Sequence, residues 1–121
     1  MDIQSLYTIQ LSKWRIIKNT DIELIDTTTK SGNQLFSPGW DLVRAIKNNE
    51  IDRRTYTREY VEKLKYSLID NEQEWYSILN RPKIALACYC RAGTFCHRHI
   101  LAKFIARVYE LDERVILGEY E

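Results

Sequence analysis

The sequence predicts an α/β protein, a three-layer sandwich in which a small, largely parallel sheet is flanked by helices. Three observations carry that expectation. Short apolar, β-branched runs and helix-period segments follow the order β, β, helices, β, α, β, which is the pattern of crossover connections. The run KIALACYC, residues 83–90, is nearly all apolar, as suits a strand covered on both faces. The next long segment, HRHILAKFIARVYE, sets Ile100, Leu101, Phe104, Ile105 and Val108 on one helical stripe. At 121 residues the chain reads as one domain, residues 1–121, long enough to close a core without staples.

Taken in order, residues 5–11 (SLYTIQL) read as the first strand, and a short helical turn from Ser12 to Lys18 follows, with Ser12 as its cap. Residues 22–28 (IELIDTT) read as the second strand, β-branched and ending in hydroxyls. Residues 29–39 (TKSGNQLFSPG) have no period and many turn formers. A loop this long in a small domain is expected to be functional or mobile. A helix starts near Pro38 or Gly39 and turns Leu42, Val43 and Ile46 inward. A longer helix spans Tyr56 to Ile69, with Tyr60, Leu64 and Leu68 four apart, Val61 beside them, and Thr55 or Thr57 as cap. Glu72 to Leu79 forms a third helix that buries Trp75 and Leu79, and Pro82 stops it. After the strand at 83–90 and the helix that begins near His97, residues 114–118 (RVILG) give the last strand.

The net charge is +1, with 45% hydrophobic and 29% charged residues, so any preference for anions has to be local. The apolar runs fall far short of the ~20 residues that cross a bilayer, and Met1-Asp2-Ile3-Gln4 lacks a signal-peptide pattern. No membrane partner is expected. Arg53, Arg54 and Arg58 are balanced by Glu50, Asp52 and Glu59, which argues against nucleic acid. Three cysteines in one tight cluster do not make a disulfide framework, so a cytoplasmic, reducing home is the expectation. Nothing in the composition specifies an oligomeric state.

The chemistry concentrates in CYCRAGTFCHRHI, residues 88–100, which holds all three cysteines and both histidines. A strand there runs through a bend, residues 91–96, into a helix N-terminus that carries partial positive charge and unpaired N–H groups. Acidic residues are favoured at such an end, yet His97, Arg98 and His99 stand there. An anion in the bend would reverse the cost. The N–H groups, close backbone approach at Gly93, Thr94 and the forks of Arg91 and Arg98 would form a phosphate or carboxylate cradle. The competing reading sends His97 and Arg98 to solvent or to nearby carbonyls. Cys96, at the helix start beside two bases, is a candidate thiolate or else a small buried cap. Cys90 ends the strand facing the loop, and Cys88 reads as core. Cys88, Cys90, Cys96 and His97 or His99 could in principle supply four zinc ligands. Their spacing is no standard knuckle, and Cys96 and His97 are adjacent, so no metal and no cofactor are expected. A phosphatase or sulfurtransferase loop is excluded, because no cysteine here stands at that loop's spacing from an arginine.

In open parallel sheets ligands bind at the carboxyl ends of the strands. That edge would bring Asp26, Thr28 and Lys30, after the second strand, opposite the cysteine-rich bend. Asp26 is the candidate for acid–base or electrostatic work, with Cys96 and His97 as its catalytic companions. Arg91, Gly93, Thr94, Arg98, Thr28, Lys30 and Cys90 are the candidate ligand contacts. Phe36, Trp40, Tyr89 and Phe95 lie in or beside these loops, and Tyr56 and Tyr60 on the long helix could line the same space or belong to the core. Aromatic faces with an anion cradle suit a nucleotide-like anion or another phosphorylated small molecule, either acted upon or simply held. A structural zinc domain and a nucleic-acid binder are weaker alternatives.

The early YTIQLS and IELIDTT, paired with the late ALACYCRAGTFCHRHILAKFI, resemble the domain-of-unknown-function family 488 from about Leu6 to Val108. The hallmark of that family is a bend closed by Cys-His-Arg at a helix start, here Cys96, His97 and Arg98. Typical members carry Asp-Val-Arg after the second strand. This chain has Asp26-Thr27-Thr28, so only Asp26 carries over, with Lys30 as a substitute base. Members also tend to place an acidic residue after the strand cysteine, where this chain has Tyr89-Cys90-Arg91. The resemblance implies an α/β sandwich with its pocket at these two loops.

Overall fold

Four strands lie side by side in the order β2-β3-β1-β4, all parallel: β1 Ser5–Gln10, β2 Glu23–Asp26, β3 Lys83–Cys88 and β4 Ile116–Glu119. The computed structural model of the chain describes residues 1–91 and 93–120. Helices α1 (Trp40–Lys47), α2 (Arg53–Asp70), α3 (Glu72–Leu79) and α4 (His97–Val108) lie in the connections. The parallel α/β sandwich expected from the sequence is the one observed.

Alternation along the strands sorts the core. Leu6, Ile25, Ile84 and Leu86 face the helices, where they join Leu42, Tyr60, Leu64, Trp75, Leu79, Leu101 and Ile105 in one buried cluster. The intervening residues Ile9, Ala85 and Ala87 face the other way, onto Leu11 and Ile17. This third layer is thin, a 3₁₀ helix over Leu11–Ile16, and the two small alanines let it lie close. Gln10, not Ser12, stands at its cap position, and no side chain caps it.

Strand and helix ends follow from pairing and capping. β3 stops at Cys88 because its neighbour β1 ends at Gln10, the residue paired with Cys88; residues 89 and 90 have no strand beside them. α2 starts at Arg53, earlier than expected, because the Asp52 carboxylate accepts the Thr55 N–H at 2.8 Å. Thr55 and Thr57 therefore sit inside the helix.

The long loop before α1 is held by α2. Tyr60 Oη donates to the Phe36 carbonyl, Lys63 Nζ to Pro38 O at 2.8 Å, and Ser67 Oγ to Leu35 O at 2.7 Å. Positions 60, 63 and 67 share one face of a 3.6-residue helix, so a single polar stripe binds three consecutive parts of the loop. Ser67 Oγ also accepts from Trp75 Nε1 at 3.0 Å, and Trp75 stacks edge-on against Phe36 and Phe104. Gly32 closes the loop start: a Cβ there would overlap the backbone of Asp26 and Thr28. Among the described residues, no helix is long and apolar enough to cross a membrane.

Trp75 is fully buried and braces α3, α4 and the loop at once. Trp75→Ala should therefore lower unfolding stability by about 3–5 kcal/mol in equilibrium denaturation. A loss under about 1 kcal/mol would show that this junction does not hold the fold.

Candidate functional site

The parallel register carries Asp26 and Cys88 to the same edge of the sheet, so the two loops meet there. After β2, the Asp26 carboxylate turns back on its own loop. Oδ1 accepts the Thr28 N–H at 2.9 Å, and Oδ2 accepts the Ser31 hydroxyl at 2.6 Å. Since the Ser31 proton goes to Asp26, the hydroxyls of Thr28 and Tyr89, each 3.0 Å away, donate to Ser31 Oγ. Asp26 is thus the sink of a hydroxyl chain that ties the β2 loop to the end of β3. Asp26, the expected acid–base group, thus braces its own loop and does not line the cleft described below.

The bend after β3 also differs from the cradle expected there. Arg91, Gly93 and Thr94 are exposed on its outer side, with Thr94 N and Oγ1 both bonded to the Arg91 carbonyl. Gly93 adopts φ 80°, and open space surrounds its α-carbon. Ala92, within the same bend, lies outside the described residues. These three residues do not line the cleft described below.

Arg98 requires the larger correction. Its side chain has 0% exposure and makes four hydrogen bonds. Nε and Nη2 grip the Glu119 carboxylate at 3.1 and 2.8 Å, while Nη1 reaches Cys90 O at 2.8 Å and Cys88 Sγ at 2.9 Å. A fully buried guanidinium with a bidentate carboxylate has no fork left for a phosphate. Burial alone would raise the Glu119 carboxyl, but hydrogen bonds from Arg98 and from Thr8 Oγ1, the latter at 2.6 Å, outweigh it and hold the group below its usual value.

His97 also points inward. Thr27 Oγ1 gives its proton to Ala87 O at 2.8 Å, so it can only accept from the imidazole. The His97 Nε2–H is therefore shared between Thr27 O at 2.9 Å and Thr27 Oγ1 at 3.0 Å. That fixes the neutral tautomer and leaves Nδ1 bare, 3.8 Å from Cys96 Sγ. Burial pushes the His97 pKa down to about 4, helped by the neighbouring Arg98 charge and opposed by the Thr27 carbonyl. At neutral pH the base at the helix start carries no charge. The crowding of basic residues there thus has an internal explanation: His97 is neutral, Arg98 is paired, and burial pushes the His99 pKa down.

Cys88 and Cys96 are joined as a disulfide, although three cysteines in one tight cluster suggest no disulfide framework, and both are buried. In that state Cys96 is not a thiolate, so its role as a nucleophile is corrected for the oxidised form. Cys90 is the free, exposed thiol.

These groups border a cleft of about 450 Å³. Cys88, Cys96 and His97 are its buried floor, and Tyr56, also buried, stands beside them. Trp40, Tyr89 and Phe95 give aromatic walls, with Phe95 held edge-on by Tyr56 and capped by the Arg53 guanidinium. Lys30 and Lys47 stand exposed at the rim and have no ion-pair partner among the described residues. Of the sequence candidates, Thr28, Lys30, Cys90, Cys96 and His97 reach the cleft, whereas Asp26, Arg91, Gly93, Thr94 and Arg98 do not. Phe36 and Tyr60 are core. Lys47 was not anticipated, and neither was Glu119 as the partner of Arg98.

A parallel α/β sandwich with sulfur and imidazole gathered at the strand ends defines the class. Residues 18–108 match DUF488-N3a, described as the active DUF488-N3 subclade. The match covers more than half of the chain, which belongs to the domain-of-unknown-function family 488. It spans both cleft loops and α4. No curated protein and no solved structure matches the chain.

Arg98→Met should cost about 3–5 kcal/mol, because it strands the Glu119 carboxylate against a buried wall. A lowered carboxyl pKa stabilises above the unfolded value, near ~4.3, and that stability is lost as pH falls through the lower folded value. Glu119→Gln should therefore flatten the acid limb of a stability–pH curve. An unchanged limb, or an Arg98→Met protein as stable as wild type, would contradict the pairing.

Proposed function

We propose that the cleft binds a nucleotide-like anion, its planar ring against Trp40, Tyr89 and Phe95 and its negatively charged group at Lys30 and Lys47. The observation that carries this reading is the meeting of aromatic walls and two lysines, unpaired among the described residues, above one buried floor. Flat π-faces bind rings, and ammonium groups bind phosphate as point charges. The Thr29 hydroxyl adds support: it is buried on the same wall without a partner among the described residues, a group that a sugar or phosphate oxygen would satisfy. Cys96 and His97 lie beneath the site, where they would act on a bound molecule. Membership in a subclade described as active favours turnover. A binder without turnover is favoured by the Cys88–Cys96 bridge, which leaves no thiolate on the floor.

Titration of reduced protein with mononucleotides and inorganic phosphate, followed by calorimetry and Trp40 fluorescence, tests the reading. Mononucleotides should bind more tightly than phosphate. Lys30→Ala combined with Lys47→Ala should weaken binding about tenfold or more, equivalent to about 1.4 kcal/mol. Chromatography of the same mixtures reports any product. Silence across the panel, or equal affinity in the lysine variant, would overturn the assignment.

A further inference from the structure

We infer that Cys88, Cys96 and His97 form a binding site for a zinc-like divalent metal, with its fourth position open to the cleft. The inference is independent of which organic ligand the cleft takes. Sγ of Cys88, Sγ of Cys96 and a ring nitrogen of His97 all lie within 4.8 Å of one another, and all three residues are buried. Two sulfurs and one imidazole suit a borderline-soft ion such as Zn²⁺.

The geometry of the imidazole is the strongest support. Its Nε2–H is fixed on Thr27, so the bare Nδ1 is the atom turned toward Cys96. A ligating histidine commonly donates its other N–H to a backbone carbonyl in this way, which sets both tautomer and ring angle. Bonds of about 2.3 Å to sulfur and about 2.0–2.1 Å to nitrogen in a tetrahedron put neighbouring ligand atoms roughly 3.5–3.8 Å apart. Cys96 Sγ and His97 Nδ1 already stand 3.8 Å apart. Adjacency in sequence argued against their sharing an ion, but the extended backbone of Cys96 at the helix start brings both atoms to one point.

Two further features agree. Cys88 and Cys96 hold their sulfurs side by side on the buried floor, as two ligands of one ion require. The Arg98 Nη1 donates to Cys88 Sγ at 2.9 Å, a contact that favours the thiolate a metal needs. One Zn²⁺ with two thiolates is electrically neutral, so it adds no net charge to the buried floor. All three residues border the cleft, which leaves the remaining coordination position to water or to an incoming anion.

Bridge and ion are alternative states. A thiol reductant supplies two electrons and two protons to open the disulfide into two thiols and is itself oxidised to a disulfide. Metal binding then releases the two thiol protons as the two sulfur–metal bonds form.

The test uses the full chain, reduced by an excess of thiol, dialysed free of metal under anaerobic conditions, and titrated with Co²⁺ or Zn²⁺. Wild type should take up one ion per chain. The cobalt form should show sulfur-to-metal charge transfer and tetrahedral ligand-field bands. Both features should vanish in Cys88→Ser and Cys96→Ser, and the bands should shift or weaken in His97→Gln. They should survive in Cys90→Ser and His99→Gln. Should a floor variant fail to fold, alkylation of wild type decides the matter: zinc should shield Cys88 and Cys96 while Cys90 reacts. Absence of uptake by reduced wild type, thiolate bands that persist in Cys96→Ser, or shielding of Cys90 alone would each overturn the site.

Discussion

A positive charge with no exposed surface organises this end of the molecule. Arg98 on the first turn of α4 is bound to Glu119 at the end of β4 and to Cys88 and Cys90 at the end of β3. A guanidinium in such a place is tolerated only when its donors are satisfied, and its partners here come from β3, the turn that follows it and β4. Helix, central strand and edge strand are thereby locked together at one edge of the sheet.

The rest of the cleft follows from the lock. With Arg98 drawn inward, His97 is carried against the end of β2, where the Thr27 backbone and hydroxyl settle its tautomer. Cys96 at the helix start is then brought against Cys88 on β3. On the opposite side Asp26 gathers Thr28, Ser31 and Tyr89 into a second brace between β2 and β3. One ionic network and one hydroxyl network thus frame a floor of sulfur and neutral imidazole. The helix end that looked over-supplied with cations presents little charge to the cleft, and Lys30 and Lys47 at the rim supply the positive potential instead.

Much of the scaffold was readable from hydrophobic period alone. The run from Ile84 to Cys88, the four-residue spacing of Tyr60 and Leu64, and the Trp75–Leu79 pair all fell where the structure buries them. The meeting of the two loops beside the cleft was readable too, because parallel strands bring their carboxyl ends to one edge. The role of each polar residue was not. Arg98 reads as a free fork until Glu119, 21 residues away, closes on it, and sheet order cannot be deduced from local pattern. Asp26 reads as a lone carboxylate until Thr28 and Ser31 occupy both oxygens. Cys88 was correctly placed in the core by alternation, but alternation gives no hint that Cys96 lies beside it. Local rules find faces, whereas the choice of partner for a buried polar atom depends on the assembled fold.

The internal burial of the Arg98 charge is the claim on which the account stands. Nitrogen–proton correlation NMR of the arginine Nε–H groups addresses it directly, with the Arg98 signal assigned by its loss in Arg98→Lys. The account predicts one Nε–H, that of Arg98, exchanging with solvent far more slowly than that of exposed Arg91 at neutral pH. Equal, fast exchange at both residues would contradict it.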